Sequence, residues 1–394
     1  MPIIATPGLR RPGFYRRLRM WWGGRPLLQL AILLLLGSLA LFLATNVSET
    51  MQRIGISPGF DFLWRSTGFE IGESSIPFSA SDPYIRAIAV GLINTLKVAL
   101  FGCVLATIIG VMVGVAGLSG NLLLAALVRW YVEIIRNTPL LLQLFFWISL
   151  AKAFPAPRQA TALLGSVYLT NRGVYIPSII ADGLAIGVAS TFAILIVGYA
   201  GLLFLLLRAG KLNGRNAIIA AIAAVSITAA LFRIADVDFT FEIPSLAGFN
   251  IRGGYNLTPE FAALLTGLVV KFSAVIAEIV RAGIQSVNRG QWEAARALGL
   301  HDGQIMRLIV LPQALRVITP LTTSSYLDLT KDSSLAVAIG YPDLVSIVNT
   351  TANTTGQSLE ALLILIGTYL AINLAVSALM NEYNRRVALK GTFR

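Results

Sequence analysis

Along the chain, long apolar runs alternate with short polar ones. Runs of roughly 17 to 25 residues, the length a helix needs to cross a bilayer core, fall near 27–45, 87–117, 138–154, 181–207, 215–232, 259–282, 305–329 and 359–380. They predict eight spans. One stretch departs from the pattern: 121-NLLLAALVRWYVEIIRNTPLLLQLFFW-147 mixes apolar residues with Arg129, Glu133 and Arg136 before Pro139. It reads as an interfacial helix that turns and then crosses. Segment 46–86, with Pro58, Gly59, Pro77 and Pro83, reads as a loop outside the cytoplasm. Gly110/Gly114 and Gly183/Gly187 have the small-xxx-small spacing of closely packed helices, and packing is their preferred role.

Composition fixes the class. Of 394 residues 56% are hydrophobic and 13% charged, and the mean hydropathy is +0.75, so the fold class is an all-α integral membrane protein. The single cysteine, Cys103, rules out an intrachain disulfide and a cysteine metal cluster, and the single histidine, His301, makes a histidine metal site improbable. The net charge of +12 raises nucleic-acid binding, but the basic residues cluster between apolar spans and do not interleave with aromatics on one segment. Residues 1–26 carry Arg10, Arg11, Arg16, Arg17, Arg19 and Arg25 without an acid, directly before 27–45. A long basic region, a run of spanning length and no small-x-small cleavage site favour a signal anchor over a signal peptide.

Charge also orients the spans, because basic loops stay cytoplasmic. Segments 1–26, 208–215, 281–316 and 381–394 are basic and thread to one side; 46–86, 233–260 and 331–360 hold more acids than bases and thread to the other. Loop 152–182 runs mildly against the trend. Both termini are therefore expected in the cytoplasm.

On that basic side lies 288-NRGQWEAARALGLHDGQ-304, a polar interruption between two spans. Asn288 or Gly290 is placed to cap a helix, with Gln291 or Glu293 as the reciprocal partner, and Gly299 offers the left-handed residue that ends it. Two turns are too short to hold alone in water, so a partner surface is implied, and Ala294, Ala295 and Ala297 give a low profile for close approach. Asp302 is expected to cap the next helix and Pro312 to kink the chain back into the membrane. His301 beside Asp302 reads as a cap and carries no catalytic assignment.

GQWEAARALGL followed by IVLPQAL resembles the cytoplasmic "EAA" loop of ABC-importer permeases, in which this helix docks into the nucleotide-binding subunit. The flanking 94-NTL-96, 131-YVEIIRNTPLLLQLFF-146, 277-AEIVRAGI-284, 331-KDSSLAVAIG-340 and PDL at 342–344 resemble the polar amino acid permease family. Residues 171-NRGVYIP-177 and 341-YPDLVSIVNTTANTTGQSLEALL-363 are similar to the larger permease subunit of general L-amino acid importers. The resemblance implies a type I importer permease core over 87–386 with extra N-terminal helices, inserted helices at about 155–257 and a basic tail at 387–394; residues 1–86 form a basic cytoplasmic N-terminus, an anchor and a periplasmic loop. It also implies a bacterial inner-membrane location, a periplasmic amino-acid-binding protein, a second homologous permease forming a heterodimer, and ABC ATPase subunits that bind ATP and Mg. This chain carries no cofactor of its own and no nucleic acid is expected as partner. A phosphate loop is missing, since 210-GKLNG-214 lacks both the first glycine and the final Ser/Thr.

The resemblance assigns ATPase docking to Gly290, Glu293, Ala294, Ala295, Arg296, Leu298 and Gly299; the alternative for Glu293 and Arg296 is a local ion pair on a solvated face. It places Lys331, Asp332, Ser333 and Ser334 on the translocation pathway, where a Lys/Asp pair beside hydroxyls suits an amino acid's carboxylate and ammonium; the alternative is the wet end of a span. Lys271 falls near mid-span by count, where a charge is costly and faces a cavity or a partner. It either faces the pathway and favours carboxylate-rich substrates or pairs with Asp328 or Glu278. Glu278 is kept as a pathway candidate beside its default intrahelical pair with Arg281. The RNTP turn at Arg136 to Pro139 reads as structural, and Lys97 as buried with an unnamed partner. The rival function, an ion-coupled secondary transporter of small polar solutes, predicts intramembrane acids and inverted repeats, which the sequence does not display convincingly.

Overall fold

The computed structural model describes residues 26–53, 59–163, 165–182 and 238–389. Six of the eight predicted spans have a helical counterpart among these residues. They are α1 (Pro26–Arg53), α2 (Tyr84–Ala116), α4 (Leu140–Ala153) preceded by α3 (Leu122–Asn137), α5 (Pro259–Gln285), a continuous run through Asp302–Ile339, and α10 (Ser358–Leu389). The spans expected at 181–207 and 215–232, with Gly183/Gly187, lie outside the described residues apart from 181–182.

The centre of the bundle is the α2–α5 pair. Gly110 and Gly114 let the two backbones close up: a Cβ on either would stand 2.7 Å from Ile276 or from the Ala277 carbonyl respectively. The small-xxx-small pair is therefore a packing device, and Gly→Ala at either site would overpack the contact at a cost of about 1–3 kcal/mol. Leu264, Leu268, Phe272 and Ile276 of α5 are buried among α2, α4 and the later helices. The leucines of α1 and most of those described in α10, among them Leu362, Leu363, Leu370 and Leu374, are exposed, the surface a bilayer covers.

α3 and α4 meet at 104°. Asn121 opens α3 by accepting from the Leu123 and Leu124 amides at 3.0 and 3.2 Å. Pro139 closes it, since a residue before proline is driven out of the helical region and Thr138 is extended.

The docking stretch forms α6 (Arg289–Ala297), followed by α7 (Asp302–Ile305), a π-helical turn at Met306–Val310 and α8 (Leu311–Asp332). The π turn absorbs Pro312, so the chain runs on into α8 where the sequence suggested a kink. Beyond α8 come a 3-10 segment at Ser333–Ile339 and α9 (Leu344–Thr355).

The inserted helices expected within about 155–257 fall on residues 183–237, outside the described ones; the flanking described parts carry a 3-10 turn at Pro157–Gln159 and short strands. β1 (Ala162–Leu163), β2 (Val167–Thr170), β3 (Gly173–Ile176) and β8 (Tyr255–Leu257) form one antiparallel sheet in that order. β4 (Ser178–Asp182) pairs with β5 (Asp238–Glu242), and β6 (Ser245–Ala247) with β7 (Asn250–Arg252). Val174 stands opposite Leu257, so the sheet closes the insertion at the start of α5. Gly173, at φ 129°, is required there, because any Cβ would collide with the Leu257 carbonyl.

Candidate functional site

At one end of the bundle α6 leaves α5 through a three-residue turn. Asn288 caps it by accepting from the Gly290 amide at 2.8 Å, without the reciprocal bond sought at Gln291 or Glu293. Gly299, at φ 77°, ends it, its amide donating to the Arg296 carbonyl at 2.9 Å. Ala295 is 1% exposed and packs inward with Trp292 and Ile305. It anchors the helix, whereas Gly290, Glu293, Ala294, Arg296, Leu298 and Gly299 are exposed, Leu298 at 78%. Arg296 pairs with Asp302 at 3.2 Å and not with Glu293, which leaves the Glu293 carboxylate free of any side-chain ion pair among the described residues. The capping box belongs to α7: His301 Nδ1 accepts from the Gln304 amide at 3.3 Å and the His301 amide donates to Gln304 Oε1 at 3.2 Å. His301 is the cap, and Asp302 the first helical residue.

Lys271 sits on α5 at the α3–α4 break. Its Nζ donates to the carbonyls of Arg136 (2.9 Å), Thr138 (3.4 Å) and Ile135 (3.5 Å). Gln143 Nε2 donates to the Ile135 and Thr138 carbonyls, both at 3.0 Å. A helix that ends against other spans leaves its last carbonyls without water, and these two side chains supply the missing donors. Neither proposed acid partner holds Lys271: Asp328 lies 3.9 Å from Lys331, and Glu278 accepts from Arg281 Nε at 2.9 Å. Asp332 attracts Lys271 through space from beyond ion-pair distance. Of the 331–334 stretch, only Asp332 is thus brought towards Lys271. Lys331 is exposed beside Asp328, Ser334 is half-buried, and Ser333 is buried with its hydroxyl donating to the Thr330 carbonyl at 2.8 Å.

The opposite end of α2 and α5 holds a polar cluster that the sequence did not assemble. Lys97 Nζ pairs with Glu73 Oε1 at 2.8 Å, donates to the Tyr255 hydroxyl at 3.1 Å and lies 4.3 Å from the centre of the Phe261 ring. The Thr258 hydroxyl donates to the other Glu73 oxygen. Asn94 Nδ2 donates to the carbonyls of Glu73 and Pro342 at 2.9 Å each, and Thr95 Oγ1 accepts from the Leu344 amide at 3.0 Å. The NTL and PDL motifs are two halves of one contact. Asp343, in the turn between the span and α9, caps α9 by accepting from the Ser346 amide at 2.8 Å, while its other oxygen is buried without a partner. Burial pushes its carboxyl up to about 7, against the pull of backbone amide donors.

A broken span braced by a half-buried lysine and a short helix displayed at one end of an apolar multi-helix bundle describe an integral membrane protein. The sequence profile of the family described as "Binding-protein-dependent transport system inner membrane component" matches residues 106–389, and the chain belongs to that family. The putative amino-acid ABC transporter permease protein YhdX of Escherichia coli (strain K12) is 43% identical over 87% of this chain and 89% of its own. The general L-amino acid transport system permease protein AapQ of Rhizobium johnstonii is 40% identical over 92% of this chain and 91% of its own. The glutamate/glutamine/aspartate/asparagine transport system permease protein BztB of Rhodobacter capsulatus is 37% identical over 92% and 93%.

Proposed function

We propose that this chain is a permease subunit of an ATP-binding-cassette importer for L-amino acids, driven through α6 by a separate ATPase that binds ATP and Mg. The observation that carries the proposal is the two-sidedness of α6: Ala295 fixes it to the bundle while Glu293, Ala294, Arg296 and Leu298 stand out at the end that the basic loops place in the cytoplasm. ATP binding in the partner moves α6, and rigid-body motion of the spans changes the side to which the pathway opens. A second, homologous permease completes the pathway, and a periplasmic binding protein delivers the cargo. The names of the relatives support amino acids as that cargo.

The pathway contact is proposed at Lys271 and Asp332, with Lys331, Ser333 and Ser334 as flanking residues; Glu278, the other pathway candidate, is held by Arg281 and lines the neighbouring cavity beside α3. An ammonium and a carboxylate that attract each other through space without pairing complement the two charges of a zwitterion. The test is uptake of labelled amino acids into vesicles holding the permeases and ATPase, with and without ATP and the binding protein. ATP-dependent uptake with a changed substrate ranking in Asp332→Asn is the expected result. Uptake driven by an ion gradient with no ATPase present would overturn the reading.

A further inference from the structure

We infer that the cavity between α3 and the α6-side ends of α2 and α5 binds the phosphate headgroup of an anionic phospholipid. The cavity encloses about 400 Å³ and is lined by Arg129, Glu133 and Arg136 of α3 and by Glu278, Arg281 and Gln285 of α5, with Gly114 and Gly117 at its back. Glu278 is occupied by Arg281, which also donates to Gln285 at 2.7 Å. The side chains of Arg129 and Arg136 make no hydrogen bond or close ion pair among the described residues, although Arg136 attracts Glu278 through space. Three guanidinium groups against two carboxylates leave one positive charge, which a single phosphodiester neutralises.

The helix that carries the arginines also supplies a surface for acyl chains. Leu123, Leu127, Trp130 and Ile134 recur at helical spacing and are 58–71% exposed, while Val132 opposite them is buried. The stripe Arg129, Glu133 and Arg136 runs between these two faces. An amphipathic helix with a basic stripe beside an exposed apolar face and a tryptophan lies along the headgroup boundary, and basic pockets between spans at that level take lipid headgroups. A free carboxylate or phosphate would satisfy the arginines but would leave the apolar face unused. The inference rests on the reading that the α6 end faces the cytoplasmic leaflet.

The test uses the whole transporter complex in nanodiscs of mixed phosphatidylglycerol and phosphatidylcholine, extracted gently and weighed by native mass spectrometry. The wild type is expected to retain phosphatidylglycerol in preference. Loss of one cation near the surface lowers retention roughly fivefold, so Arg129→Gln should fall by about that factor, and Glu133→Gln should gain by a similar one. A misfolded variant only loses lipid, so the opposite sign of the two changes keeps the test decisive. Equal retention of both lipids, unchanged retention in both variants, or displacement by soluble glycerol phosphate overturns the inference. Failure of the transport reading itself would be seen separately, in ATP-dependent uptake.

Discussion

Leu298 offers the sharpest test of the docking surface. It follows α6 with its side chain 78% exposed, so truncating it removes almost nothing from the chain's own packing. The proposed docking requires the side chain to be covered in the complex. Leu→Ala deletes three carbons, each contributing about 0.8 kcal/mol when buried; scaled by the 78% exposure available for burial, the loss is about 1.9 kcal/mol. That corresponds to roughly 25-fold weaker association at 25 °C. The measurement is ATP-dependent uptake in vesicles as ATPase subunit is titrated onto a fixed amount of Leu298→Ala permease. The half-saturating concentration should rise by that factor while the plateau and the thermal midpoint of the permease alone stay at wild-type values. An unchanged half-saturation point refutes the assignment of Leu298 to the interface.

Three further outcomes follow from the polar contacts. Removing one partner of the Lys97–Glu73 pair, whose side chains are 15% and 12% exposed, leaves a buried charge and should cost about 3–5 kcal/mol; Lys97→Met with Glu73→Gln together should recover part of that in a denaturant-based double-mutant cycle, and additivity would break the coupling. Lys271→Met strips donors from three carbonyls at the α3–α4 break, so the thermal midpoint should drop by an amount equivalent to about 1.5–3 kcal/mol; a full-stability variant would contradict the bracing role. Asp343 has its carboxyl raised from the ordinary carboxylate range to about 7, so its contribution to stability is whole below about pH 4 and is lost as pH rises through 7. Melts at pH 5 and pH 8 should therefore differ less for Asp343→Asn than for the wild type, and an identical difference in both would dismiss the buried protonated carboxyl.

The sequence was most legible where a pattern is long. Spans of twenty apolar residues, the caps of α6 and the glycine pair of α2 each depend on local spacing and lie where that spacing put them. The strands between 162 and 257 escaped because none exceeds five residues, too short for a period-two alternation to stand out. Lys97 shows a different limit. Its place in an apolar run demanded a partner, but Glu73 lies 24 residues away on a loop whose folding back no residue pattern predicts. Lys271 shows a third. Its place by count marked it as a costly charge, and acids were the natural partners to seek among side chains, yet the atoms that hold it are backbone carbonyls, which leave no trace in residue identity.

α5 joins these features mechanically. Lys271 and the last residue of α5 are 14 positions apart, about 21 Å along a helix, and α6 begins after a three-residue turn. A displacement of α6 is passed to α5 through that short turn. α5 cannot slide along α2 freely, because the contacts at Gly110 and Gly114 leave no slack between the backbones. The compliant element nearest to α5 is therefore the α3–α4 break, where a single ammonium spans three carbonyls at 2.9 to 3.5 Å and Gln143 holds two of them from the other side. Lengthening those bonds costs far less than separating packed helices. On the proposed coupling, work delivered at α6 would reach the one place in the described bundle where a span is already broken, the α3–α4 break at Lys271.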